Sequence, residues 1–255
     1  MTTIRKAMQQ EVLGAGRPPT SPGRALAAIS MVVATAGGCT SGPMSALDPA
    51  GPAAAAVADV WWAMLWGSAA ILIAVTGLAL YAACRRPEAR AKVSPRLLVI
   101  GGGIAFPGVV LAALLGYGLH AGHAQLPLPT DEPVFRVDVT ANRWNWDIVY
   151  RDAEGGAVRS ENLLYLPVDR PVDVYLTTTD VIHAFWVPRL AGKIDAIPGI
   201  TNVLRLRASR AGTFRGQCTE FCGWGHPDMA FIVEAYEAAE LSERLAALPP
   251  AEAPR

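Results

Sequence analysis

Two membrane-spanning helices followed by an all-β sandwich or barrel is the architecture this sequence predicts, and three patterns carry that reading. Two stretches without a charged residue, 60–82 and 97–119, each run for 23 residues, enough at about 1.5 Å per residue to cross about 30 Å of hydrocarbon. The short link between them is rich in arginine. From Pro133 to about Glu234 the long apolar runs give way to short alternating ones broken by Gly, Pro, Asp and Asn, the mark of half-buried strands. Composition agrees. With 52% apolar residues, 17% charged residues and a formal net charge of zero, the chain is not a nucleic-acid binder. Its 255 residues leave room for membrane segments and one modest domain.

Residues 1–38 read as a signal peptide. Arg17 and Arg24 precede an uncharged run, 25–36, that is too short to span a bilayer, and Gly37 and Gly38 then lead into Cys39. Ala36-Gly37-Gly38-Cys39 resembles the lipobox of bacterial lipoproteins, in which the cysteine becomes the lipidated first residue of the mature chain. Ala36 stands where a larger aliphatic residue is usual, and an ordinary signal peptide with an incidental cysteine is the alternative. Residues 39–58, rich in Pro, Gly and Ala, read as a linker outside the membrane.

Residues 59–122 read as a transmembrane hairpin. Its loop, 83–96, holds Arg85, Arg86, Arg90, Lys92 and Arg96 against one acid, Glu88, which places it in the cytoplasm by the positive-inside rule. Two spans then put the exported N-terminus and everything after residue 120 on the outer side. Trp61, Trp62 and Trp66 read as interfacial anchors or as helix-packing residues. Cys84 reads as a small buried or interfacial side chain.

Residues 131–236 form the outer domain. Phe135–Thr140, Val172–Leu176 and Val203–Arg207 alternate with period two, and about a hundred residues is an ordinary size for one sandwich. The tail, 237–255, places Leu241, Leu245 and Leu248 on a short helix that ends at Pro249-Pro250.

The chemistry lies in one loop after a strand-like stretch. Between Cys218 and Met229 it offers two thiols, Cys218 and Cys222, the imidazole of His226 and the thioether of Met229. Soft sulfur with borderline imidazole suits copper and excludes hard cations as the partner of this set. Three plainer readings compete: a Cys218–Cys222 disulfide, permitted outside the cell; structural zinc held with histidine; and accidental spacing. A disulfide leaves His226 and Met229 without a role, and zinc has little use for a thioether, although Met229 also reads as a core methionine. A further ligand has to come from another strand. His183 sits in the apolar run Val181–Val187 and reads as that ligand or as a hydrogen-bonded core histidine, whereas His120 and His123 follow the second span at the interface.

These residues carry a resemblance. Cys218-Thr-Glu220-Phe-Cys222-Gly-Trp-Gly-His226-Pro-Asp-Met229 is similar to the dinuclear copper (CuA) loop of subunit II of haem-copper cytochrome c oxidases, and Asp180-Val-Ile-His183 is similar to the segment that supplies that family's remote histidine. Gly192–Gly199 and Arg143-Trp144-Asn145-Trp146 also resemble family segments, so the likeness runs from about residue 45 to 235. It implies a cupredoxin-like Greek-key sandwich or barrel for the outer domain. It implies that Cys218 and Cys222 bridge two coppers, that His183 and His226 bind one each, and that Met229 and the Glu220 carbonyl are axial. The Glu220 carboxylate would also bind magnesium at the contact with the catalytic subunit. Trp144 would receive the electron from cytochrome c; its alternative is a core aromatic of the sandwich. Asn145 stands where many relatives have tyrosine. Ile100 stands where relatives often carry a glutamate in the second span, a departure that takes away the basis for carrying over the family's proton-entry role to this subunit.

The function this implies is an electron-transfer subunit in the bacterial inner membrane. It would take electrons from cytochrome c on the periplasmic side and pass them to haem in catalytic subunit I, among other oxidase subunits, where oxygen is reduced to water. The sequence holds no Cys-x-x-Cys-His, so the donor is a separate molecule. Residues 131–236 contain 14 acids and 11 bases, a net of −3, which steers a basic partner only weakly. A quinol-oxidase-type subunit II would lack the copper ligands, and a nitrous-oxide reductase would need a large further domain. A membrane-tethered metal-binding or assembly protein would leave the paired spans and Trp144 without a purpose.

Overall fold

A computed structural model describes residues 41–85, 94–151 and 156–251; the signal-peptide and lipobox readings, and most of the basic loop, lie outside these residues. Helix α1 (Pro52–Cys84) has 33 residues, about 50 Å of helix at ~1.5 Å per residue. A π-helical stretch, Leu97–Ala105, runs directly into α2 (Phe106–Gly122), which a 3₁₀ turn, His123–Gln125, closes. Both are long and apolar enough to cross a membrane.

Helix α1 starts earlier than the sequence reading places it. Pro52 occupies the first helical turn and alanines follow, a helix start in a stretch whose Pro/Gly/Ala content reads as linker, because Pro fits N1 and Ala is the best helix former. The early turns are not in the membrane face: Ala53, Ala54 and Ala58 are buried. Ala50 N–H donates to the Arg189 carbonyl at 2.7 Å and Ala54 N–H to that of Leu190 at 3.3 Å. Trp62 stacks on Trp66, with Trp61 edge-on to Trp62. Cys84, the last residue of α1, is exposed, as an interfacial side chain would be.

The outer domain is a sandwich of two five-stranded sheets. One has the order β3-β2-β1-β5-β8 and the other β4-β10-β9-β6-β7, with β1 (Phe135–Asn142), β2 (Asn145–Arg151), β3 (Ala157–Glu161), β4 (Leu163–Pro167), β5 (Val172–Thr178), β6 (His183–Trp186), β7 (Ile194–Ala196), β8 (Asn202–Leu206), β9 (Gly212–Cys218) and β10 (Ala230–Tyr236). β1 pairs parallel with β5, and β4 with β10; the other ladders are antiparallel. Alternation drives this layering: in β1 Val137, Val139 and Ala141 are buried while their neighbours are not. Between the sheets Trp146 packs edge-on to Phe185 at 5.4 Å, and Phe185 stacks on Phe231 at 4.5 Å. Burial of such rings is the main stabilising contribution in a domain of this size. Helix α3 (Ala238–Ala246) buries Leu241, with Leu245 and Leu248 packed on the same core. The tail beyond it bonds edge strand β3 through Arg159 N–H to the Pro249 carbonyl and Ala251 N–H to that of Ala157.

The candidate metal loop lies at one end of the second sheet. β9 ends at Cys218, β10 begins at Ala230 just after Met229, and β6 begins at His183. The register pairs Phe185 with Cys218 and Ala230 with Gln217, so three neighbouring strands present their ends side by side.

Candidate metal centre

Strand ends fix the backbone before any side chain is considered. Cys218 N–H donates to the Met229 carbonyl at 2.9 Å, and Thr219 N–H to the Ala184 carbonyl at 3.1 Å. Between these anchors the loop turns through Gly223, whose φ of 118° favours glycine, and a 3₁₀ turn at His226–Asp228. The Gln217 amide reaches across the loop mouth to the carbonyls of His226, Pro227 and Met229.

The donor atoms converge. The Cys218 and Cys222 sulfurs lie 3.8 Å apart, far beyond a disulfide bond of about 2.05 Å. His183 Nδ1 is 3.9 Å from Cys218 Sγ and 3.1 Å from Met229 Sδ. His226 Nδ1 is 3.6 Å from Cys222 Sγ, Met229 Sδ is 3.8 Å from it, and the Glu220 carbonyl oxygen is 3.3 Å from Cys218 Sγ. His183 and Met229 are fully buried, and the cysteines nearly so. His183, Cys218 and Cys222 alone place their ligand atoms within 4.8 Å of one another, close enough to hold a metal ion. Two thiols, two imidazole nitrogens and a thioether around one point are a donor set that fits soft or borderline metal.

Burial and its neighbour Cys218 push the Cys222 thiol up to about 12, so without a cation Cys222 is held as a thiol. Asp180 has the opposite character. Burial raises it, but bonds from His183, from the Val181 and Arg143 N–H groups and from the Arg143 side chain outweigh that and hold the carboxyl well below its usual range.

Sequence reasoning assigned no role to Asp180, and its signal is its place three residues before His183. The carboxylate Oδ1 lies 2.8 Å from His183 Nε2. A proton on Nε2 directed at this carboxylate leaves the Nδ1 lone pair facing the sulfurs.

Trp144 is 42% exposed and is not a core aromatic; the buried tryptophan of this segment is Trp146. Its indole N–H donates to the Cys222 carbonyl at 3.3 Å. The ring lies on Gly225 and Gly223: a Cβ at Gly225 would come within 2.5 Å of it. Glu220 is exposed, as is Phe221, and Trp224 is 95% exposed.

A protein-family model described as Cytochrome C oxidase subunit II, periplasmic domain, matches residues 137–236. Residues 137–236 thus carry a domain similar to the periplasmic domain of cytochrome c oxidase subunit II. Cytochrome c oxidase subunit 2 of Branchiostoma floridae is 37% identical over 123 residues, 41% of this chain and 54% of that protein. Cytochrome c oxidase subunit 2 of Alkalihalophilus pseudofirmus is 41% identical over 104 residues, 41% of this chain and 30% of that protein. The chain thus spans about half the length, or less, of these relatives. The periplasmic domain of subunit II of cytochrome oxidase from Bradyrhizobium japonicum is 29% identical, covering 48% of this chain and 96% of that one, with a TM-score of 0.44. The segment matched by the subunit II family model contains the whole converging cluster, from Trp144 to Met229.

Proposed function

We propose that this chain is the electron-receiving subunit of a cytochrome c oxidase and holds a dinuclear copper centre. The observation that carries the reading is the convergence of Cys218, Cys222, His183, His226, Met229 and the Glu220 carbonyl on one buried point. Cys218 and Cys222 would bridge the metals. His183, whose Nδ1 lies nearest Met229, would share one copper with that thioether, and His226 would serve the other with the Glu220 carbonyl. A thiolate-bridged copper pair supplies one-electron chemistry with little bond rearrangement, because both metals share the unpaired electron.

The chain's own residues account for the rest. Trp144 lies over the loop and bonds the Cys222 carbonyl, the position of a contact that receives an electron from cytochrome c. His226 is half-exposed, with its ring edge-on to the exposed Phe221; there the electron would leave for haem in catalytic subunit I, where oxygen is reduced to water. The exposed Glu220 carboxylate would bind magnesium at that contact, with other oxidase subunits around it. Two apolar helices and a periplasmic-type domain support a membrane protein with the copper domain outside; the membrane would be the bacterial inner one, the N-terminus exported and Cys39, in its lipobox-like run, lipidated. Mass spectrometry of the mature N-terminus tests the last point.

The deciding measurement is metal analysis with electron paramagnetic resonance on the purified chain loaded with copper. A mixed-valence signal, with one electron coupled equally to two copper nuclei, is expected. A single-copper signal or bound zinc would favour a metal-binding or assembly protein.

A further inference from the structure

One side chain sits where the sandwich meets the hairpin. Gln125, at the end of the second helix, donates from Nε2 to the Ala53 carbonyl in the first turn of α1 at 2.7 Å, and its Oε1 accepts the Gly192 N–H of the sandwich at 2.9 Å. Both ends of the amide are used, so the residue ties three segments into one arrangement. Gly192 admits it closely: a Cβ there would come to 2.9 Å from Oε1. The surrounding contacts reinforce the junction. Arg189 binds the Asp48 carbonyl at 2.8 Å and its carboxylate at 2.7 Å, and Ser209 N–H donates to the Ala50 carbonyl at 2.8 Å. The segment that Gln125 grips leads directly into β7, which pairs with the metal-site strand β6 at His183↔Ala196.

We infer that Gln125 is a positioning residue, a latch that sets the copper domain on the membrane hairpin in one orientation and so fixes the gap across which the electron leaves. This inference rests on the relay proposed above. Helices α1 and α2 would lie in the bilayer beside the subunit that holds the acceptor, whereas the metal loop is at the sandwich end. Loosening the junction lets the loop shift relative to that acceptor without disturbing any ligand. Each transfer moves one electron, taking one ferric haem to ferrous and leaving the donor centre oxidised by one. A step of that kind is sensitive to small misplacement of its partners.

Two substitutions reach the latch from its two sides, and neither residue touches the proposed copper ligands. Gln125→Ala removes both bonds, and Gly192→Ala forces the Gln125 carbonyl oxygen away. In the assembled oxidase both should keep the wild-type copper content, paired-copper signal and KM for cytochrome c, while kcat and the intramolecular copper-to-haem rate fall several-fold. Gln125→Glu keeps the acceptor for Gly192 and loses the donor for Ala53, so it should fall between. Hydrogen exchange of residues 50–56 and 189–194 should quicken by about tenfold in the alanine variants, the scale of one lost hydrogen bond. Unchanged exchange, or an unchanged intramolecular rate, in both alanine variants would overturn the latch and leave the relay intact. A missing paired-copper signal in the unaltered oxidase would instead overturn the relay, with the exchange data still deciding whether Gln125 sets the domain.

Discussion

Asp180 holds His183 from behind, its Oδ1 2.8 Å from the imidazole Nε2, while its other oxygen accepts the backbone N–H of Arg143 at 2.8 Å. One carboxylate therefore fixes both a candidate metal ligand and the turn that presents Trp144. The proposed metal ligand and the proposed electron-entry residue are thereby joined through one side chain.

Asp180→Asn keeps the shape of this junction and removes its charge. Copper affinity should fall about 10- to 100-fold, the usual effect of losing a carboxylate behind a ligating histidine. The reduction potential should rise, because taking away a nearby negative charge disfavours the more positive, oxidised state. Copper titration and potentiometry read the two effects; a lowered potential would contradict the arrangement.

Gly225→Ala tests the seat of Trp144. The added methyl would come within 2.5 Å of the indole, so the ring has to move, at a cost of about 1–3 kcal/mol typical of overpacking. The copper signal should persist while electron uptake from reduced cytochrome c slows. Stopped-flow reduction measures this, and wild-type uptake in the variant would show that the packing of Trp144 on the glycine has no part in it.

The metal loop is legible in the sequence because its chemistry is written in nearly consecutive letters: thiol, thiol, imidazole and thioether within twelve residues. The strands are legible because Val137, Val139 and Ala141 alternate with polar neighbours. Gln125 is not, since its partners are backbone groups of Ala53 and Gly192, 72 and 67 positions away, and backbone groups leave no mark on residue identity. The start of α1 at Pro52 is obscured for a different reason: Pro followed by alanines reads equally as loose linker or as a helix N-terminus until the sandwich surface that buries Ala53 and Ala54 is known.

Metal loading should release protons. Burial and the adjacent Cys218 push the Cys222 thiol up to about 12, so at pH 7 the metal-free site carries it protonated, whereas only a thiolate ligates copper. Adding copper to the metal-free protein in weak buffer should acidify the solution by at least one proton per centre. Apparent affinity should rise with pH across the neutral range. Isothermal titration in buffers of different ionisation enthalpy counts the protons, and a count of zero would exclude Cys222 as a ligand.

Alkaline stability turns on Tyr150, between the sheets. Its phenol is pushed up by burial even though it accepts the Tyr165 N–H at 2.6 Å. The folded state therefore keeps the phenol neutral at a pH where the unfolded chain, with an ordinary value near 10, has already lost the proton. The sign follows: this group's contribution is fully present below pH ~10 and is lost as pH climbs from there toward the folded value. Tyr150→Phe should remove that slope and, by leaving the Tyr165 N–H without its acceptor, cost about 1–3 kcal/mol at neutral pH. Denaturant unfolding of both proteins from pH 7 to 11 checks it. An equal loss of stability between pH 10 and 11 in the two would show that Tyr150 does not set the alkaline limit of the domain.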